Sequence, residues 1–237
     1  MNLESTLTEI RQTLKDSIDE RILFSEKKYF KEEIKIYGVS IAMTTKIGKL
    51  FFESIKDYPK QDIFELCEEL WKSGYSEEAY IACNFSYYVS KQYEPSDFII
   101  FERWVNNYVT NWATCDTLCN HTVGRFVEMY PDFITELKRW SKSTNRWMKR
   151  ASSVSLIIPA RKGLFLNEIF EIADVLLDDT DDLVQKGYGW MLKATSEAYR
   201  DKVYHYVISK KTIMPRTALR YAIEKMPAEM KIEAMKK

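Results

Sequence analysis

The chain reads as all-α: an α-solenoid of about six HEAT-like helical pairs. Three observations predict it. Apolar residues recur at helical spacing almost everywhere, and alternating strand patterns are scarce. Pro59, Pro95 and Pro131 stand at intervals of 36 residues, each just ahead of an apolar run. Glycine, at 7 of 237 residues, is too sparse for the many tight turns of an all-β chain. Proline at a helix start loses no hydrogen bond, because first-turn N–H groups lack an intrahelical partner. A proline that recurs at a fixed interval therefore marks recurring helix starts.

In chain order, residues 3–15 place Leu3, Leu7, Ile10 and Leu14 on one stripe. Residues 40–56 do the same with Ile41, Ile47, Leu50, Phe51 and Ile55. Helices then begin at Pro59, Pro95 and Pro131, and in the same phase near Asn167 and Tyr199, without proline. A second series of starts lies between them, near Ser76, Thr114, Thr144, Asp181 and Pro215. Each has a polar N-cap candidate or a proline. The result is a single repeat domain over 1–237, with one helix pair per roughly 35 residues. Such stacks curve, so that one helix series lines a concave side.

Composition, at 46% hydrophobic and 30% charged, is that of a globular chain. Lys+Arg and Asp+Glu both number 35, so only local clustering can point to a polyanion. From Leu137 through Asn167 come Lys138, Arg139, Lys142, Arg146, Lys149, Arg150, Arg161 and Lys162 with no acid among them. A second acid-free run from Lys202 to Tyr221 holds Lys210, Lys211, Arg216 and Arg220. Acids gather at Glu65 to Glu78 and at Glu168 to Asp182. A concave basic groove with an acidic back is the expected arrangement, suited to nucleic acid.

No stretch approaches the roughly 20 apolar residues of a membrane span, and the N-terminal segment is too charged for a secretory signal. Cys67, Cys83, Cys115 and Cys119 all lie in helical runs, and a chain this long does not need a disulfide framework. A cytoplasmic location without membrane partners is expected. Cys115, Cys119 and His121 match no common zinc spacing, so buried thiols and no metal are expected. No nucleophile triad and no glycine-rich phosphate loop is present, and no cofactor is expected. The run Asp178 to Asp182 fits caps and first-turn acids better than a cation site.

One stretch carries chemistry. In Asn111 to Cys119, Trp112 and Asp116 stand four residues apart and so project from one helix face. An electron-rich ring beside a fixed negative charge suits a cationic guest. Arg150 and Trp190 are candidates to complete the site. With Trp112 and Asp116 they fall in the second helices of three consecutive pairs, which can converge on one groove. Trp71, Trp104 and Trp140 have no charged partner at useful spacing and read as core. Trp147 fits either the core or a place beneath Arg150. Tyr29 fits either the site or the core.

These segments together resemble the AlkD-type DNA alkylation-repair glycosylase family, built of HEAT-like repeats. The resemblance covers about residues 20–226. It runs through Tyr29-Phe30-Lys31, Tyr37-Gly38-Val39, Asn111-Trp112 to Asp116, and Asn145-Arg146-Trp147 to Arg150. It is firmest over Asp182 to Lys193, with Gly187-Tyr188-Gly189-Trp190 at its centre, and closes on Met214 to Ala222. It implies a monofunctional glycosylase that excises cationic alkylpurines such as 3-methyladenine and 7-methylguanine from double-stranded DNA. It also implies that the base leaves without being fully flipped into a pocket. The catalytic roles fall on Asp116, Trp112 and Trp190, and Arg150 holds DNA. Tyr29, Arg146, Lys149 and Lys193 are further DNA-binding candidates. Gly187 stands where the family pattern leads one to expect alanine, and Lys193 where it leads one to expect arginine. A monomer without metal or cofactor is expected. The alternative is a noncatalytic HEAT-like module that binds DNA or protein.

Overall fold

The computed structural model describes residues 3–236, except for the side chains of residues 26–29. Its helices are α1 (Leu3–Asp16), α2 (Glu20–Tyr29), α3 (Ile41–Ile55), α4 (Lys60–Lys72), α5 (Ser76–Tyr88), α6 (Phe98–Asn107) and α7 (Trp112–Thr117). They continue with α8 (Gly124–Met129), α9 (Ile134–Trp140), α10 (Arg146–Val154), α11 (Ile157–Arg161), α12 (Leu166–Val175), α13 (Asp182–Lys210), α14 (Arg216–Ala222) and α15 (Ala228–Met235). Among the described residues there is no strand, only an isolated bridge between Lys35 and Tyr75. The fold is all-helical, as its periodicity predicts. No described helix is long and apolar enough to cross a membrane.

The two predicted series of helix starts are present. Pro59 is the N-cap of α4, and Pro95 and Pro131 open short 3-10 turns that lead into α6 and α9. The start expected near Asn167 is α12. The one expected near Tyr199 is a break inside α13, where Tyr199 leaves helical geometry at φ −134° and ψ 52°. In the second series α5 starts at Ser76, Asn111 caps α7, Asn145 caps α10, Asp181 caps α13 and Pro215 caps α14.

The chain divides into two compact units, Met1–Leu118 and Cys119–Lys237. In the first, α4 packs along α5, with α3 and α7 also against α5 and α1 against α3 and α4. Its core is aromatic. Trp71 and Trp104 are buried, and Phe64 meets Trp104 edge-on with centroids 5.7 Å apart. Burying such rings contributes roughly 4–6 kcal/mol each at the usual area coefficient. The indole N–H of Trp104 donates to Glu68 at 2.5 Å, and Glu68 also accepts from Arg103 and Tyr108. Lys60, only 4% exposed, donates to Asp97 at 2.8 Å and Glu94 at 3.0 Å. A buried ammonium persists because it is paired, and here the pairing ties the start of α4 to the 3-10 turn before α6.

Two details of this unit correct the sequence reading. Ile41 and Leu50 are exposed, and α3 instead buries Thr44, Ile47, Gly48, Phe51 and Ile55. Glu77 and Glu78, counted with an acidic surface, are buried. The Glu77 carboxylate accepts the backbone N–H groups of Tyr37, Gly38 and Val39 at 2.9–3.1 Å. Glu78 accepts from the Tyr37 hydroxyl at 2.7 Å and pairs with Arg11 at 3.0 Å. These donors replace the hydrogen bonds to water that each carboxylate gives up on burial.

In the second unit α13 is the central helix, packed against α10, α11, α12 and α14. Trp140 and Tyr188 are fully buried, and the Tyr188 hydroxyl donates to the Leu177 carbonyl at 3.1 Å. A β-carbon on Gly189 would come within 2.7 Å of the Tyr221 β-carbon and 2.8 Å of the Ala218 carbonyl oxygen. Only glycine allows α13 and α14 to lie this close. The acids of this unit do not form a separate back. Asp179, Asp181 and Glu171 meet Lys149, Arg146 and Lys138 of the basic run directly. Opposite charges brought together by folding attract, whatever their separation along the chain. All four cysteines are free and buried, and burial pushes the Cys67 and Cys83 thiols up.

Candidate active site

Helix α7 begins where the Asn111 side chain accepts the Thr114 N–H at 2.9 Å. The same side chain donates to the Ser76 hydroxyl at 3.3 Å, which ties α7 to the start of α5. Asn111 is buried, as are Ala113, Thr114 and Cys115. Trp112 and Asp116 are only half-buried, so both belong to the less buried face of this short helix. The spacing that predicted a shared face is realised on a helix whose other face is packed. Beyond Thr117 the chain passes into a π-helical stretch, Leu118–Val123, two residues after Asp116. Wide helical turns of this kind are rare and concentrate near functional residues.

Sequence reasoning missed one partner of this pair. Phe30, just beyond α2, stacks on Trp112 with ring centroids 5.5 Å apart. Phe30 stands in the same early segment that resembles the family, but no spacing connects it to Trp112. The side chain of Tyr29, its neighbour and a site candidate, lies outside the described residues.

In the second unit Asn145 caps α10 by accepting the Trp147 N–H at 2.9 Å. Trp147 is buried, and the Arg146 guanidinium lies over its ring at 5.1 Å. Arg150 is 4% exposed and donates to the Leu183 carbonyl in the first turn of α13. Gly187 lies beside it. An added β-carbon there would stand 3.0 Å from the Ser153 hydroxyl and 3.4 Å from Arg150 Cγ. The tight contact there is with Ser153, whereas Arg150 stands at the edge of ordinary van der Waals distance. Trp190, further along α13, is half-buried between buried neighbours. Lys193 pairs with Glu224 at 2.9 Å and lies over the Tyr221 ring. Arg146 and Lys149 pair with Asp181 and Asp179.

The structure therefore joins Trp112 and Asp116 on one helix face of the first unit. It gathers Arg146, Lys149 and Arg150 against the start of α13 in the second. Among the described residues no three His, Cys, Asp or Glu side chains gather as a metal set.

A sequence profile described as "DNA alkylation repair enzyme" matches residues 10–226, most of the chain. The chain belongs to the DNA alkylation repair enzyme family. Trp112, Asp116, Arg150 and Trp190 all lie within the matched region. A solved structure described as a "predicted DNA alkylation repair enzyme" from Enterococcus faecalis has the same fold, with a TM-score of 0.80. That likeness covers 90% of this chain and 98% of the other at 14% identity, so it speaks for the fold of this DNA alkylation repair family member alone. No curated protein sequence matches the chain significantly.

Proposed function

We propose that this member of the DNA alkylation repair family is a monofunctional DNA glycosylase acting in base excision repair. Its substrates are cationic alkylpurines of the 3-methyladenine and 7-methylguanine type in duplex DNA. The observation that carries the reading is the indole and carboxylate, Trp112 and Asp116, on the less buried face of α7. A cytoplasmic monomer with one repeat domain over 1–237 is sufficient for this work.

A purine alkylated at N3 or N7 is positively charged. When the bond from its ring nitrogen to C1′ breaks, the electron pair goes to the purine and neutralises it. No strong general acid is required, and neither metal nor cofactor enters the argument. Positive charge moves to the sugar as an oxocarbenium-like centre. The Asp116 carboxylate stabilises that charge. At about 4 Å and an effective dielectric near 20, the attraction is roughly 4 kcal/mol. Expressed mainly in the transition state, it raises the rate by about 10³. Water then adds to C1′ and gives up its proton to Asp116 or to solvent.

Trp112 meets the cation through its ring face, for roughly 0.5–2 kcal/mol. Trp190 enters the reading in the same role through the family resemblance. The resemblance gives DNA-backbone roles to Arg150, Arg146, Lys149, Lys193 and Tyr29, although in this structure Arg150 is buried and Arg146, Lys149 and Lys193 are held by Asp181, Asp179 and Glu224. An undamaged purine is neutral. It loses the electrostatic help and remains a poor leaving group.

The test is release of 7-methylguanine from methylated duplex DNA by wild type and Asp116→Asn. A fall of about 10²–10³ in the single-turnover rate is expected. Equal rates above background would remove Asp116 from the mechanism.

A further inference from the structure

Two aspartates in the loop before α13 sit on cationic groups of α10. Asp181 pairs with the Arg146 guanidinium: Nη2 donates to Oδ1 at 3.0 Å, while Nε lies 2.8 Å from Oδ2 as a charge contact outside hydrogen-bond geometry. Asp179 takes the Lys149 ammonium through its Oδ2. Its other oxygen accepts the Asp181 N–H at 2.9 Å, so the two carboxylates are held as one unit. The paired side chains are 37% and 23% exposed for Arg146 and Asp181, and 22% and 11% for Lys149 and Asp179. Pairs this sheltered are screened less by salt than pairs at a free surface.

A guanidinium or an ammonium that pairs with a carboxylate can pair with a phosphate through the same charge-assisted contacts. Here the chain supplies the oxygens itself. We propose that Asp179 and Asp181 are affinity-setting residues: they occupy the cations of α10 in place of DNA phosphates and keep binding to DNA weak. The inference rests on the DNA reading of the preceding subsection. Its physical basis is one-for-one neutralisation, since each carboxylate cancels one cation that could release a counterion from DNA. An enzyme that searches undamaged DNA and leaves its product benefits from such a restraint, because tight non-specific contact slows both steps.

The test is binding of an undamaged duplex, read without any base release. Dissociation constants are measured for wild type, Asp179→Asn and Asp181→Asn from about 50 to about 200 mM salt. Asparagine retains the oxygen that accepts the backbone N–H and serves equally well as an N-cap, so both variants suit the fold. Each is expected to bind about 5–10-fold more tightly at about 0.1 M salt, with a salt slope steeper by about 0.9. Adding Lys149→Met to Asp179→Asn, or Arg146→Met to Asp181→Asn, is expected to abolish the gain. Thermal melting identifies a variant that fails to fold, in which case the other pair decides.

Unchanged or weaker binding in the single variants overturns the proposal. So does a gain that survives removal of the cation. If wild type does not bind DNA even at the lowest salt, the DNA reading falls and takes this inference with it. Loss of base release with these binding differences intact removes only the glycosylase reading.

Discussion

Trp112 lies stacked on Phe30, with ring centroids 5.5 Å apart and planes inclined by 26°. The contact covers one side of the indole and fixes its plane. Aromatic pairs contribute about 0.5–1.5 kcal/mol beyond their buried area. Phe30→Ala should therefore slow excision about 2–10-fold by loosening Trp112, while Phe30→Tyr should retain the rate. Single-turnover excision measures both. A wild-type rate in Phe30→Ala would show that the stacking does not orient the indole for catalysis.

Asp116 and Trp190 are proposed to act on one lesion from opposite halves of the sequence. Groups that serve one transition state give losses that do not add. Asp116→Asn combined with Trp190→Ala should thus lose less than the product of the single losses. A strictly multiplicative loss in excision rate would mean that the two residues work independently.

Glu68 supplies a pH signature. Burial opposes its ionisation, but hydrogen bonds from Arg103, Tyr108 and Trp104 outweigh it, and its pKa is held below the ordinary 4.5. Because the native value is the lower one, the stabilisation is complete above about pH 4.5 and is lost as pH falls through the native value. Glu68→Gln should cost roughly 1–3 kcal/mol at neutral pH. The gap should narrow in acid below the ordinary carboxylate value. Urea unfolding across the acid range measures it, and a gap constant with pH would contradict the assignment.

Gly187→Ala sets two effects against each other. Alanine gains up to about 1 kcal/mol of helix propensity. Its β-carbon, however, meets the Ser153 hydroxyl at 3.0 Å, and that hydroxyl is held by its bond to the Arg150 carbonyl at 2.9 Å. The crowding should win, with a net loss of about 1 kcal/mol. Adding Ser153→Ala should recover stability. A stabilised Gly187→Ala would show that the neighbour yields freely.

Much of the fold was legible because helix starts have local causes. Pro59, Pro95 and Pro131 open helical turns, and Asp181 caps the helix its position announces. Even the break at Tyr199 follows from phase alone. The pairing of charges was not legible. Nothing near Asp179 in the sequence says that it will meet Lys149, and nothing near Glu77 says that it will be buried under the loop at Tyr37. Those partners are chosen by packing between repeats, and the chain records only the charges. The Trp112–Asp116 face was readable because it lies within one helix, whereas Phe30 required the fold.

The burial of Glu77 reaches beyond its own helix. The amides of Tyr37, Gly38 and Val39 all answer to one carboxylate on α5. The approach to α3 therefore takes its shape from a side chain about forty positions later, and can hold that shape only while α5 stays docked. In deuterium exchange those three amides should open together with α5, making this buried loop report on the docking of a helix distant in sequence.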